Sequence, residues 1–110
     1  MKEYIDRIFF AAEGHVLDAT YYYRLVRRDD NKVWTWNTPS LELAEDVEWS
    51  NSIIMMPEAG ETGQYPVRIP ENVPGGSYYV TIYKVEGSSP SNTDSVQDSY
   101  LTKIGDIFGF

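Results

Sequence analysis

Polar and apolar positions alternate along short runs of this chain, and turn-forming residues break the runs every few residues. The clearest run is Ser77 to Val85, where Tyr78, Val80 and Ile82 fall on one face and Tyr79, Thr81 and Tyr83 on the other. That period of two is the mark of a half-buried strand. The same pattern predicts strands over Tyr4–Ala12, Ala19–Arg28, Val33–Trp36, Ser52–Met56, Gln64–Ile69 and Ser95–Lys103. In the second, Tyr21, Tyr23 and Leu25 share a face opposite Tyr22, Arg24 and Val26. In the third, Trp34 and Trp36 share a side. Ser52–Met56 is almost wholly apolar and reads as covered on both faces. Pro66, which has no N–H, belongs at an edge or a non-bonded position of its strand.

The breaks carry their own chemistry. Asp29-Asp30-Asn31-Lys32 reads as a hairpin loop, because Asp and Asn bond their own backbone and tolerate tight-turn dihedrals. Gly60, Gly63 and the Pro70–Gly76 stretch turn the chain, and Glu86–Asn92 is a polar loop. Asn37–Ser50 predicts mostly loop with one short element, either a helical turn capped near Thr38-Pro39-Ser40 or an edge strand through Leu41 and Leu43.

About seven short strands without an amphipathic helix predict an all-β fold: one immunoglobulin-like two-sheet sandwich, with a small β-barrel as the second choice. The expected core is Tyr23, Leu25, Ile54, Met56, Tyr65, Val67, Tyr78, Val80 and Ile82. The chain divides into a sandwich over residues 1–104 and an apolar tail over 105–110.

Composition narrows what such a domain does. At 110 residues the chain holds one domain, and with no Cys it is built without disulfides. Its net charge of −8 speaks against nucleic acid and against anionic membranes as partners. The acids Glu42, Glu45, Asp46, Glu48, Glu58 and Glu61 fall in a stretch without Lys or Arg, which reads as a solvated face. Asp6 and Arg7 stand where a signal peptide would need an apolar run, so cytoplasmic synthesis without a signal peptide is expected.

Catalytic chemistry has few candidates. His15 is the sole histidine, in a Gly-containing loop without a nucleophile in view, and the expectation is no enzyme, no cofactor and no metal. Asp29 and Asp30 form a carboxylate pair, but at a hairpin tip they read as turn residues. A calcium reading with Asn31 lacks the EF-hand spacing and its distal Glu. A small-molecule ligand is not expected. Trp34, Trp36 and Trp49 leave a carbohydrate-binding reading open, against the simpler one of a Trp in the core.

Protein contact is the better supported role. Tyr79, Thr81 and Tyr83 lie on the face of their strand expected to meet solvent, in a chain that is 15% aromatic, and tyrosines are enriched at interfaces. Ile107, Phe108 and Phe110 place three large apolar side chains within four residues, and these are expected to dock on a neighbouring subunit.

The stretch Gly63-Gln64-Tyr65-Pro66-Val67-Arg68-Ile69-Pro70-Glu71-Asn72-Val73-Pro74-Gly75-Gly76-Ser77-Tyr78-Tyr79-Val80-Thr81-Ile82-Tyr83 resembles small β-sandwich modules of tailed-bacteriophage structural proteins. In these a Gly-x-Tyr strand leads to a Pro-(Ala or Gly)-Gly turn and an alternating Tyr-x-Val strand. Arg27-Arg28-Asp29-Asp30 with Val33-Trp34, and Gly87–Asp94 with Pro90, fit the same pattern, so the resemblance spans roughly Ala19 to Leu101. It implies a virion structural protein, such as a capsid decoration or cement subunit that binds other virion subunits or its own copies. A neck or tail accessory protein is the alternative within the virion.

Overall fold

The computed structural model describes residues 3–10, 20–36, 40–56, 63–70 and 72–104. His15 and the segment 105–110 lie outside the described residues, so the expectations placed on them stand as they were. The described chain forms β1 (Glu3–Phe10), β2 (Tyr21–Arg27), β3 (Lys32–Thr35), β4 (Ser40–Leu43), β5 (Ile54–Met56), β6 (Gln64–Pro70), β7 (Gly76–Lys84) and β8 (Ser95–Ile104). Two single 3₁₀ turns, Ala44–Asp46 and Trp49–Asn51, separate β4 from β5.

The expected all-β two-sheet sandwich forms. A large antiparallel sheet runs β4-β3-β2-β7-β8, and β1 and β6 make a two-stranded sheet. The edge of β2 away from β7 is shared by two strands: β3 pairs near Val26, and β5 pairs with Tyr21–Tyr23. In an immunoglobulin domain the second and third strands lie in opposite sheets. Here β2 and β3 are hairpin neighbours, so the likeness to that fold is in the sandwich rather than the strand order. The likeness also includes a tyrosine corner: Tyr78, near the start of β7, donates its hydroxyl to the Pro74 carbonyl at 2.6 Å.

Alternation dictates the core. Tyr23, Leu25, Tyr65, Val67, Tyr78, Val80 and Ile82 are buried together with Met56, and Ile54 packs against them. Trp34, Ile69, Val73 and Ile104 complete the cluster. At one end Tyr21 meets Tyr65 edge-on at 4.6 Å, and Phe9 lies 5.3 Å from Tyr21. These tilted, edge-on geometries suit the ring quadrupole. Pro66 sits in β6, whose only strand partner among the described residues is β1, an edge position of the kind that tolerates a proline.

A bulge in β1 ties the sheets together. Ile5 pairs with Arg68 and Arg7 with Val67, leaving Asp6 as the extra residue. Its carboxylate accepts from the Tyr100 hydroxyl at 2.8 Å and the Thr102 hydroxyl at 2.9 Å, both on β8. The Arg7 guanidinium lies 3.7 Å from the Tyr100 ring centre. Burial first, then the bond to Asp6, raises the Tyr100 hydroxyl pKa, so it remains a donor.

One expectation is corrected and two are refined. Ser52–Met56 shrinks to Ile54–Met56 and is not doubly covered: Met55 is 48% exposed, because this edge strand presents only one face to the core. Trp34 and Trp36 do share a side, lining one groove, but they differ in burial because β3 ends at Thr35. Trp34 is buried and Trp36 is 52% exposed in the turn that follows. In Asn37–Ser50 the edge-strand alternative forms as β4, with Leu41 against the core, and the 3₁₀ turn Ala44–Asp46 follows it. This raises the described strands to eight.

Candidate functional site

The outer face of the large sheet carries the residues the sequence singled out. Strand pairing sets Val26 beside Tyr79 and Tyr79 beside Leu101 in one row, Arg24 beside Thr81 and Thr81 beside Ser99 in the next. Tyr22, Tyr83 and Val96 form a third row. So Tyr79, Thr81 and Tyr83 do share one outward face, but they differ in environment.

At Tyr22 and Tyr83 the third row is roofed by the chain itself, whereas Val96 at its β8 end stays exposed. Trp49, from the second 3₁₀ turn, meets Tyr83 edge-on at 5.3 Å, and Tyr83 stacks on Tyr22 at 5.2 Å with 15° between planes. The Trp49 indole donates to the Tyr22 hydroxyl at 3.0 Å, which donates to Asp94 at 2.6 Å. Asp94 also accepts from the backbone N–H groups of Glu86 (3.0 Å) and Ser91 (2.8 Å), which fixes the β7–β8 loop over Tyr22. Burial works against the Asp94 charge, but the bonds from Tyr22 and the two amides outweigh it and hold its carboxyl below the usual value. Burial and then the bond to Asp94 raise the Tyr22 hydroxyl pKa. Arg24 lies 4.0 Å from the Trp49 ring centre and donates to the Ser52 hydroxyl at 2.9 Å.

The first row is open. Tyr79 is 43% exposed and Leu101 46%, on adjacent strands and directly opposite each other. Val26 is half-buried beside Tyr79, and Val96 on β8 is 57% exposed. The sequence pattern singled out Tyr79 but missed Val96 and Leu101. The signal was faint: the inward positions of β8 include Asp98 and Thr102, so the strand shows no apolar alternation. Tyr83, expected as a contact residue, spends much of its ring surface on Tyr22 and Trp49. Ile107, Phe108 and Phe110 lie outside the described residues.

A second concavity lies between the end of β6 and the junction of β3 with β5. This apolar groove of about 470 Å³ is lined by Trp34, Trp36, Ile53, Ile54, Met55 and Pro70, with Ser50 and Asn72 as polar neighbours. Trp36 is fixed there: its indole donates to the Ser50 carbonyl at 2.9 Å and its amide to the Asn51 carbonyl at 3.1 Å. The buried Trp34 indole N–H has no hydrogen-bond partner among the described residues.

The hairpin acids behave as turn residues. Arg27 grips Asp30 with two bonds, Nε to Oδ1 at 3.0 Å and Nη2 to Oδ2 at 2.5 Å. The Arg27 bond is the main reason the Asp30 carboxyl falls to about 2. Asn31 takes the left-handed conformation, φ 60°, that the turn requires. Among the described residues no three His, Cys, Asp or Glu side chains converge as metal ligands.

No family model, curated protein or solved structure matches this chain. The fold and the surface define a class, a small two-sheet β-sandwich with an aromatic outer face.

Proposed function

We propose that this chain is a structural subunit of a tailed-phage virion that binds other virion proteins, as a capsid decoration or cement subunit. The observation that carries the binding role is the open row of Tyr79 and Leu101, with Val96 on the same face. Large apolar and aromatic side chains on an exposed sheet face suit the fully buried centre of a protein interface. The virion assignment rests on the sequence resemblance. Thr81, between Tyr79 and Tyr83, supplies a hydroxyl to the same face, and the reading gives Ile107, Phe108 and Phe110 to the partner contact as well. A neck or tail accessory protein uses the same surface.

The test is quantitative mass spectrometry of purified particles. A decoration subunit has a high, fixed copy number relative to the major shell protein, unchanged by washing. Loss on washing, or a copy number that varies between preparations, overturns the reading.

A carbohydrate-binding module is the second reading, favoured by the fixed, exposed Trp36 ring beside its groove. Saturable, sugar-dependent quenching of Trp fluorescence, abolished in Trp36→Ala, would support it in place of virion binding.

A further inference from the structure

The two edges of the large sheet are defended very differently. β4 is four residues long, carries Glu42, and leads into exposed Glu45, Asp46 and Glu48. Short length and charge are the usual devices against strand addition. β8, at the other edge, is ten residues long and contains no proline. Its one irregularity is at Gln97, which the pairing passes over between Asp98 and Val96. From Asp98 to Ile104 the ladder with β7 is unbroken, and no described strand pairs with the other side of β8. That stretch holds one acid and one base, Asp98 and Lys103. The open row Val26–Tyr79–Leu101 runs across the sheet and stops at this edge.

We propose that the edge of β8 pairs antiparallel with β8 of a second copy of this chain, about a two-fold axis at Leu101. Opposite residues of an antiparallel pair must share a face, and that register satisfies the rule. It sets Leu101 against its own copy, Ser99 against Lys103 on the outer face, and Tyr100 against Thr102 on the inner face. No like charges stand opposite each other. The two open rows join into one apolar stripe through the axis. The acids of the β4 edge and the turns after it, a large share of the net charge of −8, lie four strands away from the contact in each copy. Such an isologous contact closes at two copies.

The chain has no cysteine, so single-cysteine variants report the contact directly. In Leu101→Cys the two thiols would sit on directly opposed residues, with Cβ atoms about 4.5–5.5 Å apart. Under mild oxidation at micromolar protein, Leu101→Cys should form disulfide dimers at least about tenfold faster than Glu42→Cys on the opposite edge, because pairing raises the local thiol concentration. The unmodified chain should sediment at twice its 12.6 kDa mass, and Leu101→Lys, an exposed site whose change spares the core, should sediment as a folded monomer. A monomeric unmodified chain at hundreds of micromolar, equal rates for the two cysteine variants, a dimer that survives Leu101→Lys, or an assembly larger than two each overturns the proposal. None of these readings involves particles, so the result is independent of the virion assignment.

Discussion

Asp94 shows how one side chain sets the shape of a loop. It is 7% exposed and accepts three bonds, one from Tyr22 and two from backbone amides eight and three residues before it. Truncating it leaves those donors without their acceptor, and a buried unsatisfied group costs about 1–3 kcal/mol. Asp94→Ala should therefore lower the unfolding free energy by about that amount in urea titrations. Asp30 makes a pH prediction. Its folded value of about 2 lies below the ordinary 3.8. A depressed carboxyl stabilises the fold above its unfolded pKa, and that contribution fades as pH falls through the folded one. In acid titrations Asp30→Asn should flatten the stability loss between about pH 4 and pH 2, and only modestly, since the pair faces solvent. The two roles were not equally legible in the chain. Asp30 sits in an Asp-Asp-Asn turn that announces itself, whereas Asp94 sits in an ordinary polar loop, and its partner Tyr22 is 72 positions away.

At the scale of elements, β7 was fully legible, because it is central to the large sheet and each face has one environment. Tyr78, Val80 and Ile82 are all fully buried, and the opposite positions are exposed or half-exposed. Ile82→Ala should cost about 2–5 kcal/mol, and Thr81→Ala much less, as measured by chemical denaturation. The reverse order would mean that the strand register is off by one. β5 and β8 were harder. The apolar run of β5 mimics a doubly covered strand, but an edge position next to β2 leaves Met55 outside. β8 turns polar residues inward because Asp6, delivered by a bulge in β1, is there to accept from Tyr100 and Thr102. A bulge leaves no local signature that hydrophobic periodicity detects, so the polar seam between the sheets was invisible in the sequence.

For the whole molecule, the two-sheet class followed from strand spacing, but the strand order did not. Whether β2 and β3 stay in one sheet or cross to the other depends on how β3 and β5 share one edge of β2, and neither length nor turn chemistry dictates that. The proposed contact surface was half legible for the same reason. Tyr79 stood out on its own strand, while Leu101 and Val96 gain meaning only once β8 is laid beside it. Folding has roofed Tyr22 and Tyr83 with Trp49 and the β7–β8 loop and left Tyr79, Leu101 and Val96 open. The most direct test of that division is rebinding of purified chain to particles from which it has been stripped. The double variant Tyr79→Ser/Val96→Ser keeps the buried core intact. It should melt within a few degrees of the unmodified chain and yet occupy the particles at least about tenfold less well, as loss of a hot-spot aromatic implies. Full occupancy by that variant would contradict the account.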